Sequence, residues 1–266
     1  MISKNKLKEL AAYRLQKRCD EEAVFVVEGA KMAAEARASH FAIRTVCATA
    51  QWLSVHADGL AAGETYEVSD AELERLSGFK SPNQVWMLVE RSAVPLPHAA
   101  SHSPLILALD RIQDPGNLGT MLRTADWFGV RHVVCSPDTV SCFNPKVVQA
   151  TMGAIFRTQV DYTDLPQWLA TCGMPVYGAS LQGKQLSALN PQPSTPRVLV
   201  IGNESRGISP EVMALVTHPV LIPNLGGTAE SLNASVAAGI LMNWMTAQGS
   251  HFGSSRSSRS SRSSGQ

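Results

Sequence analysis

Apolar runs short enough to be strands alternate along this chain with stretches whose apolar positions recur every three to four residues. The first part predicts a basic helix from about Lys4 to Cys19, a strand over Ala23–Val27, a helix through Met32 to Ala38 and a strand over Ile43–Cys47. Thr65–Val68 follows as a strand, then a helix from Ala71 to Leu76. Ser69 or Asp70 caps that helix, because a short side-chain oxygen accepts from the open first-turn N–H groups. The strand Val85–Val89 completes a small α/β unit.

From residue 105 the alternation is more regular. Leu105–Leu109 is apolar at every position, as a strand buried on both faces requires. A helix from about Leu118 to Phe128 ends at Gly129, where a left-handed residue can close it without Cβ strain. Next come the strand His132–Cys135, a helix near Lys146–Met152, an extended Thr158–Val160, a helix from Pro166 to Thr171 and the strand Met174–Tyr177. The strand Val198–Ile201, a helix from Pro210 to Val216, a short strand over Val220–Ile222 and a helix from Leu232 to about Thr246 complete the series. This order predicts a mainly parallel sheet covered on both faces.

Between the two parts, Ser92–Pro104 has three prolines and no period, and reads as a linker. His98 and His102 have helical ligand spacing there, but prolines on both sides oppose the helix that would align them. The expected divisions are a small α/β unit over 1–92, a linker over 93–104, an α/β domain over 105–248 and a Ser/Arg-rich tail over 249–266. That tail has too little apolar surface to order itself.

Composition narrows the possibilities. With 44% hydrophobic and 17% charged residues, 266 residues can enclose a real core. The net charge of +1 gives no overall basic field, so contact with nucleic acid must come from a local patch. One candidate is N-terminal, where Lys4, Lys6, Lys8, Arg14, Lys17 and Arg18 oppose only Glu9 before Asp20. Of these, Lys6, Arg14, Lys17 and Arg18 are the candidates for nucleic-acid phosphates, and a solvated amphipathic helix is the alternative. The five cysteines are scattered and form no CxxC, which predicts buried reduced thiols and no metal site. With no signal-like or membrane-length apolar stretch, a cytoplasmic protein is expected. Gly178–Gln185 approaches a P-loop, but Gln185 stands where the magnesium-binding hydroxyl belongs. Neither G-x-G-x-x-G nor G-x-S-x-G occurs, which argues against dinucleotide binding and the common α/β hydrolase elbow.

Three loops after apolar runs carry the candidate chemistry. In Asp114–Arg123, Asn117 is predicted to cap a helix starting at Leu118, and Arg123 can reach back to an anion such as a phosphate. In Ile201–Gly207, Gly202 permits close approach and Glu204 offers a carboxylate. The third loop runs from Ile222–Gly226 to Ser231–Asn233, with Ser231 or Asn233 capping a last helix rich in small residues.

In this order the loops resemble the three signature motifs of the SpoU/TrmH family of RNA ribose 2′-O-methyltransferases. Asn117, Gly119 and Arg123 meet N-x-G-x-x-x-R, Gly202–Gly207 meets the second motif, and Ile222–Pro223 with Ser231–Ala237 meets the third. Phe25–Gly29 looks like the small substrate-binding domain of many members. The resemblance implies an α/β fold with a deep trefoil knot, homodimers, and S-adenosylmethionine held around Gly202, Asn203, Ile222, Leu232 and Asn233. It also implies that Asn117, Arg123, Glu204, Ser231 and Asn233 surround the reacting ribose. Arginine is a poor proton acceptor, so Arg123 reads as a phosphate clamp that steadies the developing alkoxide. Ribosomal RNA is the expected substrate. Transfer RNA, methylation of a base and a non-catalytic RNA-binding role stay open at this point.

Overall fold

Two sheets organise the chain in a computed structural model that describes residues 2–79, 83–91, 104–189 and 195–247. The first contains β1 (Val24–Glu28), β2 (Ile43–Ala48), β3 (Ala62–Glu67) and β4 (Val85–Glu90), in the order β1-β4-β2-β3. β4 runs antiparallel to β1 and β2, while β2 and β3 are parallel. Every residue of β1 is buried because both of its faces are covered. Val24 and Val26 join Leu7, Leu10, Tyr13 and Trp86 on one side, and Phe25 and Val27 join the main core on the other.

The helices around this sheet are α1 (Lys4–Ala11), α2 (Gln16–Glu21), α3 (Ala30–Ala38), α4 (Ala50–His56) and α5 (Asp70–Leu76). The basic stretch is therefore not the single helix expected over Lys4–Cys19. A 3₁₀ turn at Ala12–Arg14 and an extended Leu15 separate α1 from α2. Burial explains the break: Leu10 and Cys19 are both buried, yet nine residues of continuous helix would set them about half a turn apart, on opposite faces. Helix α5 carries the predicted cap as a full capping box between Ser69 and Glu72. Helix α4 was not predicted, and Trp52 is its one buried residue.

The second sheet is wholly parallel, as the strand–helix alternation predicts. Its strands are β5 (Leu105–Leu109), β6 (His132–Cys135), β7 (Gln159–Tyr162), β8 (Val176–Gln185), β9 (Arg197–Ile201) and β10 (His218–Leu221). They lie in the order β10-β8-β9-β5-β6-β7. Helices α6 (Pro115–Trp127), α7 (Pro145–Thr151) and α10 (Ala234–Ala247) cover one face, against Leu107, Val133 and Leu199. Helices α8 (Leu165–Thr171) and α9 (Pro210–Met213) cover the other, against Ile106, Val134 and Val200. The P-loop-like segment is part of β8, where the register against β10 jumps from Gly178↔Pro219 to Lys184↔Val220.

The main core is continuous between the two sheets. Phe25 lies 4.9 Å from Phe143 and 6.0 Å from Phe156 between ring centroids, and Arg157 reaches both Glu35 and Asp126. Cys19, Cys47, Cys135 and Cys142 are buried. Burial pushes the Cys47 and Cys142 thiols up to about 12 and Cys19 to about 11, so they stay protonated near neutrality. The expected linker over 93–104, apart from Pro104, and the Ser/Arg-rich tail over 249–266 lie outside the described residues.

Candidate active site

Parallel strands deliver their C-terminal loops to one edge of the sheet, where α/β proteins place ligands. The loops after β5, β9 and β10 meet there. Asn117 Nδ2 donates to Glu204 Oε1 at 2.7 Å, and Asn233 Nδ2 donates to Asn117 Oδ1 at 3.0 Å. One side chain from each of the three motifs thus lies on a single hydrogen-bonded line. Asn233 is held in turn, because its Oδ1 accepts the backbone N–H and the hydroxyl of Ser235 at 2.9 and 2.6 Å. Asn233, not Ser231, therefore caps the start of α10.

Asn117 does not cap α6 as predicted. The helix begins three residues earlier than expected, at Pro115, and Asp114 is the cap, its Oδ1 accepting the Asn117 N–H at 2.7 Å. Proline is favoured at the first helical position because that residue has no intrahelical use for an N–H. The correction frees the Asn117 amide for the two loops it joins.

The second motif forms a tight turn closed by two backbone bonds between Asn203 and Gly207. A Cβ on Gly202 would lie 2.2 Å from Gly207 C and from Ile208 N, so the close approach that requires this glycine is made by the chain's own backbone. Asn203 braces the turn. Its Oδ1 accepts the N–H groups of Ser205 and Arg206 at 3.0 and 3.1 Å, and its Nδ2 donates to the Arg111 carbonyl at 2.9 Å. A cleft of about 420 Å³ opens beside the Asn117–Glu204 pair, lined by Arg111, Gln113, Asp114, Asn203, Glu204, Ser205 and Arg206. No sequence signal marked Arg111. For Asp114 the proline that follows it, at the first helical position, is a signal that could have found it.

The remaining predicted residues fall in different places. Arg123 is exposed on α6 and has no hydrogen-bond or ion-pair partner among the described residues. Ser231 is exposed on the third loop, Ile222 is partly buried against the core, and Leu225 and Leu232 are 94% and 48% exposed. Asn224 orders that loop by accepting the N–H groups of Gly226 and Gly227 at 3.0 and 2.7 Å. In the basic N-terminal stretch, Lys6 is held at 3.0 Å by both Glu9 and Glu64, and Arg18 pairs with Glu22 at 2.5 Å. Lys17 is only 4.0 Å from Glu21, and Arg14 is exposed.

The chemistry available is polar alignment, set by the Asn233–Asn117–Glu204 line. The third loop also leaves Leu225 and Leu232 exposed, and the turns held by Asn203 and Asn224 fix backbone groups in the second and third motifs. Exposed leucines and fixed backbone groups are of the kinds that the nucleoside of S-adenosylmethionine requires.

Residues 104–243 match the SpoU rRNA Methylase family, and residues 4–86 match the MRM3-like substrate binding domain. The 23S rRNA (guanosine(2553)-2′-O)-methyltransferase RlmP of Bacillus subtilis is 30% identical over 240 residues, spanning 89% of this chain and 94% of its own. The structure of a TrmH-family protein from Porphyromonas gingivalis, 38% identical, agrees with a TM-score of 0.83 over 93% of this chain and 99% of that one. An AdoMet-bound rRNA methyltransferase from Sinorhizobium meliloti, 28% identical, agrees with a TM-score of 0.80 over 92% and 95%. With its three motifs joined at one sheet edge and this match over most of its length, the chain belongs to the SpoU family of RNA methylases.

Proposed function

We propose that this chain transfers a methyl group from S-adenosylmethionine to a ribose 2′-hydroxyl of ribosomal RNA. The observation that carries the reading is the line Asn233–Asn117–Glu204, which gathers a polar side chain from each motif. The Bacillus subtilis relative, named for 2′-O-methylation of 23S rRNA, supports ribosomal over transfer RNA. The match of residues 4–86 to a substrate-binding domain supports reading residues 1–92 as the part that engages RNA, with Arg14 and Lys17 the least encumbered of the four cations predicted for phosphates. Lys6 and Arg18 would contribute by exchanging their carboxylate partners for phosphate.

When bound, S-adenosylmethionine supplies an electrophilic methyl, and Gly202, Asn203, Ile222, Leu232 and Asn233 would hold it. The protein's work is then alignment and charge stabilisation, since a ribose hydroxyl is a weak nucleophile at neutral pH. Glu204 Oε1 is occupied by Asn117, which leaves Oε2 to orient the hydroxyl. Ser231, on the same loop as Asn233, supplies a second hydroxyl contact. Arginine is a poor proton acceptor, so Arg123 serves as an electrostatic group and not as a base.

A homodimer through the methyltransferase domain belongs to the same reading. Thr120, Arg123 and Trp127 form an exposed stripe on α6, and Leu232, Val236 and Ile240 form one at the start of the adjoining α10. A second copy seated on these stripes would bury their apolar side chains and bring Arg123 to the interface. The knotted path implied by the motifs is part of this proposal, as is a cytoplasmic location. Among the described residues no helix is long and apolar enough to cross a membrane.

The test is methyl transfer from labelled S-adenosylmethionine to unmodified ribosomal RNA, wild type beside Arg123→Ala and Arg123→Lys, with nucleoside analysis. A 2′-O-methyl nucleoside made by the wild type and lost in Arg123→Ala is expected. Near-normal turnover by Arg123→Lys would overturn the phosphate clamp, because lysine keeps the charge but not the fork. A methylated base as product would overturn the ribose reading.

A further inference from the structure

The geometry points to an RNA phosphate subsite between Arg111 and Arg206, in the cleft beside the Asn117–Glu204 pair; it rests on the reading of this chain as an RNA methyltransferase. Arg111 stands at φ +57°, in the left-handed region that L side chains rarely adopt. Its backbone is fixed from both sides, its N–H donating to Ser136 Oγ at 2.8 Å and its carbonyl accepting from Asn203 Nδ2 at 2.9 Å. Glycine would make both bonds without strain, so the task at this position falls to the side chain. Strained residues held in this way concentrate at ligand sites.

That side chain lines the cleft. Its Nε lies 3.5 Å from Asp110 Oδ1 but makes no hydrogen bond among the described residues. Asp110 is itself buried and accepts the Ser209 N–H at 2.6 Å, so it anchors the root of the guanidinium and leaves the outer nitrogens to the cleft. Arg206 stands on the second-motif turn, exposed and without an ion pair among the described residues. Asn203 links the two arginines, holding Arg111 by its carbonyl and Arg206 by its N–H at 3.1 Å. Neither arginine can shift without disturbing the same amide.

The lining charges balance, two arginines against two carboxylates, so it is the engagement of the carboxylates that favours an anion at the arginines. Asp114 Oδ1 caps α6 and Glu204 Oε1 accepts from Asn117. Gln113 and Ser205 add neutral donors. A phosphodiester offers two equivalent charged oxygens, which suit guanidinium forks from two walls. Held there, the phosphate would set the neighbouring ribose against Glu204. This subsite is separate from Arg123, which lies on the exposed stripe of α6.

The test uses the full chain, an unmodified 23S rRNA transcript and labelled S-adenosylmethionine. Arg111→Gly removes one fork and suits the left-handed backbone, and Arg206→Ala removes the other. Each is expected to raise KM for the transcript about tenfold and to reduce the salt slope of transcript binding by about one. The dissociation constant for S-adenosylmethionine, measured without RNA, should change by less than about twofold, and Arg111→Gly should unfold at or above the wild-type temperature. An unchanged KM and salt slope would overturn the subsite. A loss confined to S-adenosylmethionine affinity would also overturn it, and would assign the cleft to the cofactor. If the wild type methylated no ribose, the enzyme reading would fail on its own, and the salt slopes of transcript binding would still decide for or against the arginines.

Discussion

Asn117 uses its amide as a two-ended connector, donating to Glu204 and accepting from Asn233. Asn117→Asp keeps the acceptor, loses the donor and sets a second carboxylate against Glu204. It should lower kcat/KM by about a hundredfold, the scale for losing one positioned donor at a reacting centre. Pairing it with Glu204→Gln restores a donor between the two side chains, so partial recovery in the double variant is expected from steady-state kinetics. Gly202 has a different duty. Gly202→Ala would drive a Cβ into Gly207 and Ile208 backbone at 2.2 Å and should cost about 3 kcal/mol or more, read from urea midpoints. Glu28 gives a pH signature. Burial pushes its carboxyl above the ordinary 4.5, against the opposing pull of the Ser77 hydroxyl and the Gly78 N–H. A raised folded value favours the protonated form, so its contribution is complete below pH 4.5 and is lost as pH rises through the folded value. Glu28→Gln should therefore gain on the wild type as the medium moves from acidic to neutral, and a stability difference independent of pH would refute this.

At the scale of elements, the glycine of the first motif serves packing. Gly119 lies where α6 crosses α7, and a Cβ there would be 2.4 Å from Ala150 Cβ and 2.9 Å from the Val147 carbonyl. Gly119→Ala should destabilise the chain by about 1–3 kcal/mol and displace Asn117 with it, lowering thermal midpoint and turnover together. The same elements show what could be read in advance. β5 and the Val198–Ile201 run of β9 were legible because strands covered on both faces favour continuous apolar runs. Helix α6 was placed late because Asn117 and Asp114 are both capping residues, and the cue for the true cap is Pro115 at the first helical position. Helix α4 has a single buried residue and so no periodic stripe to find. The far end of β8 is polar and partly exposed, and backbone pairing with β10 makes it a strand despite its composition. In the site, the three loops were readable from glycine and polar spacing. Arg111 was not, because its left-handed conformation comes from Ser136 and Asn203, which are remote in sequence.

At the scale of the molecule, the main core cluster draws on both sheets, and α6 and α10 carry exposed apolar side chains on their outer faces. Phe25, Phe143 and Phe156 join the two parts through packed rings, so the described chain is expected to unfold in a single transition that coincides by fluorescence and circular dichroism. Separate transitions would mean that the shared core is not cooperative. Trp127, 84% exposed, with Val236 and Ile240, marks the proposed dimer face. Ile240→Asp should halve the mass measured by light scattering and remove most methyl transfer, while the monomer keeps its helical content. A dimer that survived this change would have to use another face.

The line Asn233–Asn117–Glu204 joins positions 116 and 87 residues apart. Contacts of such long sequence separation form late, after the loops between them have closed. During synthesis, the sheet that carries the substrate-binding unit and the helix with Asn117 are both complete before Asn233 exists. Arg197 then ties the far end of α10 back to β9 through the Met245 carbonyl at 2.5 Å, so even the last turn of that helix takes part in seating Asn233. The unit proposed to engage RNA is therefore made well before the proposed site can close. On the proposed reading, methyl transfer becomes possible only once α10 has docked and set Asn233 against Asn117, so the last of the three motifs to be made is also the one that completes the site.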